Sequence, residues 1–176
     1  MQSPEFERIG KRLIREGLLS GNFGNMSVRS ENGYFITAGG SFLDNPGELA
    51  FVSTTKGPAP GASSEYRVHQ RIYEATDGMA IVHAHPPFAV AASFGGDAVV
   101  PIDSEGKMFL PSIPVADGEP GTEALAEDVG EKSRLSPVVI ARGHGTFAYA
   151  PSLEKAYLLT AITEHAAKVL YYRRSF

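Results

Sequence analysis

The chain has 176 residues, 43% apolar and 20% charged, with a formal net charge of -4. A single domain over residues 1–176 is expected, and nothing in the overall charge suggests a nucleic-acid partner. Cysteine is absent, which excludes disulfides, thiolate-bound metals and thiol nucleophiles.

Phe6, Ile9, Leu13 and Ile14 recur at helical spacing among charged residues, and Gly17 would help end that helix. The segment before it, Met1 to Phe6, has no basic stretch leading into an apolar core, and no spanning segment follows. A cytoplasmic protein without a membrane partner is therefore the expectation. Gly21 to Asn25 reads as a turn-rich link into a hairpin of Met26–Arg29 and Tyr34–Thr37 around Glu31-Asn32-Gly33. Ala38-Gly39-Gly40 interrupts that hairpin, and Gly57 to Gly61, with two prolines, is irregular. A helix is predicted from Ser63 or Ser64 to about Thr76, with the serines positioned to cap its free amides.

Met79 to Val82 reads as a buried strand that runs into His83-Ala84-His85 and stops at Pro86-Pro87. Phe88 to Phe94 suggests a helix closed by Gly95-Gly96, and Val99-Val100 and Met108–Leu110 are short strand candidates. Gly121 to Glu131 is another predicted helix. Pro137–Ala141 and Thr146–Tyr149 bracket Arg142-Gly143-His144-Gly145 as two strands, and Pro151-Ser152 opens a long final helix. Strands interleaved with helices imply an α/β sheet with helices on at least one side.

The double histidine is the most informative segment. In extended backbone, His83 and His85 project to one face, where two imidazoles can chelate a divalent cation. His144, between two glycines, is the third ligand candidate. Three neutral imidazoles on zinc, or on another divalent transition metal, leave a fourth position for water or substrate, which is the catalytic pattern. His69 and His165 lie within predicted helices and read as satisfied interior or surface side chains. Glu65, at a helix start, is the strongest acid/base candidate. Gly24-Asn25, Gly39-Gly40 and Ser63-Ser64 can turn amides and hydroxyls toward an anion, without forming an ATP or dinucleotide signature. Arg29 and Lys56 read as solvated surface charges, and Asp117 as a turn residue with a possible proton role.

The ordered set Gly21-Asn22-Phe23-Gly24-Asn25-Met26-Ser27, Ile36-Thr37-Ala38-Gly39-Gly40, Ser63-Ser64-Glu65, His83-Ala84-His85 and Gly143-His144-Gly145 resembles the class II aldolase and adducin family. Within it, the zinc-dependent sugar-phosphate aldolases of the fuculose-phosphate type are most similar. The resemblance implies a predominantly antiparallel central sheet flanked by helices in three layers, and a homotetramer with its site between subunits. It also implies His83, His85 and His144 as zinc ligands, Glu65 as the catalytic acid/base, and Asn25, Gly39, Gly40, Ser63 and Ser64 around a substrate phosphate.

The implied reaction is reversible cleavage of a phosphorylated ketose into a dihydroxyacetone-phosphate-like fragment and an aldehyde. Asp117, a tyrosine or water would handle the second proton. Gly39 stands where that group has threonine or serine, Asp117 stands near a position where it uses tyrosine, and the chain ends soon after Tyr172. A sugar-phosphate epimerase, a methylthioribulose-phosphate dehydratase and a non-catalytic adducin-like interaction module are the alternatives.

Overall fold

The computed structural model describes residues 4–173. Helix α1 (Pro4–Arg15) leads to the hairpin β1 (Asn25–Ser30) and β2 (Gly33–Thr37), then β3 (Leu49–Ser53) and β4 (Gly57–Pro58). Helix α2 (Tyr66–Ala75) precedes β5 (Ala80–Ala84). Next come α3 (Pro87–Ala92), which runs on as a 3-10 turn over Ser93–Gly95, β6 (Ala98–Val99), α4 (Ser104–Phe109) and β7 (Ile113–Ala116). Helix α5 (Glu123–Lys132), the pair β8 (Val138–Ala141) and β9 (Gly145–Ala150), and α6 (Leu153–Arg173) complete the order. No helix among the described residues is long and apolar enough to cross a membrane.

The strands form one sheet in the order β4-β3-β2-β1-β5-β9-β8-β7-β6. Every pairing is antiparallel except β7 with β8. Alternation of side chains builds a layer on each face. Val82 and Ala84 of β5 pack with Phe6, Ile9 and Leu13 of α1 and Leu153 and Ala156 of α6. Ile81, Val139 and Phe147 point the other way, onto Val68 and Ile72 of α2 and Leu125 and Val129 of α5. The expected three-layer arrangement, a mostly antiparallel sheet between helices, is what the structure has.

Several local expectations need correction. Met108 and Phe109 belong to α4, not to a strand, because the Asp103 side chain accepts a hydrogen bond from the Gly106 amide and starts a helical turn there. β3 and β7 were not anticipated, and part of the segment Gly57 to Gly61 pairs as β4. Arg29 is an anchor, not a solvated charge. Its guanidinium donates to the carbonyls of Tyr73, Thr76 and Gly78, and lies 4.6 Å from the Tyr73 ring centre.

Candidate active site

Two strands bring the histidines together. Asn25 of β1 and Phe147 of β9 are the register partners of His83 on β5. The two-residue spacing carries His85 to the same face just beyond the strand. The turn from β8 to β9 delivers His144, with its amide donating to the Ala141 carbonyl at 3.0 Å. Gly143 takes φ +68° in that turn, a left-handed conformation in which a side chain would be strained. A Cβ there would also lie 2.9 Å from the Phe94 ring.

The ring centres of His83, His85 and His144 are 4.8 to 4.9 Å apart, and one nitrogen from each falls within 4.8 Å of the other two. His83 is 1% exposed and stacks on Phe147 at 4.1 Å, while its Nδ1 donates to the Thr146 carbonyl at 2.9 Å. That bond fixes the proton on Nδ1 and leaves the Nε2 lone pair free, as a metal ligand requires. The Nε2 atoms of His83 and His85 are 3.0 Å apart. Two nitrogens on tetrahedral zinc would be about 3.3 Å apart, given bonds of about 2.05 Å. The donor set and spacing therefore fit a transition-metal cation.

Burial lowers the pKa of all three rings. His83 falls well below the usual imidazole value, with its two histidine neighbours adding to the effect, and His85 falls to about 4. All three are thus neutral at physiological pH, the form in which an imidazole can bind a cation. His144 Nδ1 is buried without a hydrogen-bond partner among the described residues.

Helix α2 runs alongside β1 in the same direction. Arg29, late in β1, reaches the carboxyl-terminal end of α2. Ser27 meets His69 and Tyr73 at 2.6 and 2.7 Å. The first turn of α2 therefore lies toward the end of β1 that carries Asn25, which pairs with His83.

Glu65, 6% exposed, caps that turn by position without a side-chain cap bond. Its Oε2 is buried and unpartnered among the described residues. Burial raises its pKa, with the Gly121 amide pulling the other way. A carboxyl group that retains a proton more readily than usual suits general acid–base work. The expected serine caps are not made to the helix amides. Ser63 Oγ instead accepts from the Glu65 amide at 3.4 Å, and the Ser63 carbonyl accepts from Tyr66.

The other predicted residues gather around this end of the sheet. Asn22 Nδ2 donates to the Gly40 carbonyl at 3.3 Å, joining the loop before Asn25 to the Gly39-Gly40 turn. A Cβ on Gly39 would lie 3.7 Å from Ser63 Cα, so that turn and the serine pair are neighbours. The Gly39 amide is committed to the Gly61 carbonyl and so is not free to meet an anion. Asn25 Oδ1 is buried without a partner among the described residues, and Ser64 is exposed beside Gly121. Asp117 is exposed and bound to the Arg142 guanidinium, which holds its pKa down. His69 is fully buried, with burial pushing its pKa to about 3, and His165 is exposed.

Two contributors escaped the sequence reading. Phe23, 54% exposed, stacks parallel to His85 at 5.5 Å. Ser93, fully buried, accepts from the Gly143 amide at 3.0 Å and so touches the turn that carries His144. An exposed phenylalanine in a glycine loop is a weak sequence signal, and nothing local marks Ser93.

Comparison with known proteins gives the family of the chain. The L-fuculose phosphate aldolase of Methanococcus vannielii is 30% identical over 181 residues, covering 100% of this chain and 99% of that protein. The 5-methylthioribulose-1-phosphate/5-deoxyribulose-1-phosphate aldolase of Escherichia coli is 29% identical, covering 89% of this chain and 77% of that one. The crystal structure of l-fuculose-1-phosphate aldolase from Thermus thermophilus superposes with a TM-score of 0.92 at 36% identity, covering 97% of this chain and 92% of that one. The family described as the Class II Aldolase and Adducin N-terminal domain matches residues 5–171, and the chain therefore belongs to the class II aldolase and adducin family.

Proposed function

We propose that this protein is a metal-dependent aldolase that reversibly cleaves a phosphorylated ketose into a dihydroxyacetone-phosphate-like fragment and an aldehyde. The observation that carries the reading is the convergence of His83, His85 and His144, with the buried Glu65, whose Oε2 has no partner among the described residues, at the same end of the sheet. The three histidines would hold the cation, which we take to be Zn2+. When bound, it supplies Lewis-acid polarisation of substrate oxygens.

Glu65 removes the proton from the donor carbon in the condensation direction and returns it on cleavage. Burial raises its pKa, which makes it a stronger base than an exposed glutamate. Asn25, Gly39, Gly40, Ser63 and Ser64 form the phosphate side. Asn25 and the serines offer donors, and the glycines leave room for the anion. Phe23 and Phe147 orient two of the ligand rings by stacking. Assembly as a homotetramer is part of this reading and is tested by light scattering.

The test is a panel of phosphorylated ketoses, including fuculose 1-phosphate and 5-methylthioribulose 1-phosphate, incubated with zinc-loaded protein and analysed for products. Phosphate-free sugars serve as controls. Cleavage products that require the phosphate and disappear in Glu65→Gln support the proposal. Epimer or dehydrated product in their place, or full turnover by Glu65→Gln, overturns it.

A further inference from the structure

Arg142 immediately precedes the turn that carries His144, and its side chain gathers the elements around that turn. Its Nε and Nη2 reach the two Asp117 oxygens at 2.6 and 3.2 Å, a forked pairing just after β7. Its Nη1 donates to the carbonyls of Ser93, the first residue of the 3-10 turn, and Gly96, just after it, and Nη2 also reaches Asp97 at 3.3 Å. The Arg142 amide donates to the Ala116 carbonyl at 2.8 Å. Ser93 closes the arrangement, since its hydroxyl donates to the Val90 carbonyl at 2.6 Å while accepting from the Gly143 amide.

We propose that Arg142, braced by Asp117 and Ser93, is a positioning residue that fixes the His144 turn for metal binding, and that Asp117 serves as its counter-ion instead of as a proton-transfer group. This rests on the metal-dependent reading above. The physical argument is one of geometry. Gly143 and Gly145 have no side chains with which to brace the turn, and the guanidinium supplies directional bonds to two segments beside it, Asp117 after β7 and Ser93 to Asp97 after α3. Exposed ion pairs contribute little to global stability, so five side-chain bonds gathered on one arginine beside a ligand turn make local positioning the better account of their arrangement.

The experiment measures cobalt affinity by competition with a chelator, and amide hydrogen exchange at Gly143 to Gly145 in the metal-free protein. Arg142→Met should weaken cobalt binding by about ten- to a hundred-fold, the range for groups that orient ligands. It should also speed exchange in the turn at least tenfold. Arg142→Lys, which keeps the charge and loses the fork, should fall between, and Asp117→Asn should shift both readouts the same way by less. Arg12→Met, which removes an ion pair between α1 and α6, should change neither.

Wild-type affinity and exchange in Arg142→Met would overturn the proposal. Loss of turnover in Asp117→Asn with both readouts unchanged would overturn the counter-ion role. Failure of the wild-type protein to bind cobalt would refute the metal-dependent reading, while the exchange measurement would still decide whether Arg142 holds the turn.

Discussion

Gly145→Ala tests the packing of the ligand cluster, because ordinary rules predict the opposite sign. Gly145 begins β9, and no left-handed conformation is required of it. At such a site, alanine usually stabilises by about 0.4–1 kcal/mol through the unfolded chain. Here a Cβ would meet the Ala84 carbonyl oxygen at 2.4 Å, His85 Cδ2 at 2.9 Å and His83 Cε1 at 3.0 Å.

A carbon–oxygen contact needs about 3.3 Å, so the shortfall is about 1 Å against backbone. That backbone is β5, held between β1 and β9, and it has no side-chain freedom with which to yield. Overpacking of this kind costs about 1–3 kcal/mol. After subtracting the usual gain, the net loss is about 1–2 kcal/mol, or a fall in Tm of roughly 2–8 °C for a chain of this size. Cobalt affinity should fall with it, since two of the three contacts are rings of His83 and His85, which the proposal assigns to the cation. Thermal unfolding of the metal-free protein and chelator competition measure both effects. Gly95→Ala is the control, because a Cβ there meets nothing within 4 Å. A Gly145→Ala protein as stable as wild type, with unchanged affinity, would refute the packing argument.

Glu65→Gln should raise the stability of metal-free protein at neutral pH. The folded pKa of Glu65 lies above its unfolded value, so the fold disfavours the ionised form, and wild-type stability declines as pH rises through that window. Urea titrations at several pH values should show the variant's advantage vanishing below the ordinary glutamate pKa of about 4.3. His85 has the reverse sign. Its folded pKa of about 4 lies below the ordinary imidazole value of 6.5, so metal-free wild type should lose stability as pH falls through that interval. His85→Gln should flatten the slope, and an unchanged slope would contradict the burial of that ring. Phe147→Ala should cost about 3–5 kcal/mol, because the ring is fully buried, and should free the His83 ring. Retained Tm in that variant would contradict its place in the core.

The parts of the site carried by local pattern were readable from the sequence. His83 and His85 share a face because a strand alternates, and Glu65 stands at a helix start because Ser63-Ser64 precedes an amphipathic run. The convergence of His144 was not readable by spacing alone, because it depends on β9 pairing with both β5 and β8. Its glycine-flanked position made His144 a candidate, and the ordered motifs of the family resemblance added to that reading. Asp117 shows the opposite limit. Its flanking glycine and prolines suggested a shaped loop, but its partner Arg142 is 25 residues away and reaches it through the parallel pairing of β7 with β8.

β7 was hidden by Pro114, which argues against a strand. The structure accommodates that proline because the neighbouring β6 is only two residues long, and the Val115 amide finds the Asp97 carbonyl. Arg29 looked like an exposed charge because its acceptors are carbonyls at the end of α2, which no side-chain pattern reveals.

X-ray absorption spectroscopy of the zinc-loaded protein, compared with single alanine variants of His83, His85 and His144, tests the central claim most directly. The account predicts one zinc per chain with three imidazole nitrogens at about 2.0–2.1 Å, and loss of one such nitrogen in each variant. A zinc environment unchanged by any of the three substitutions would contradict it.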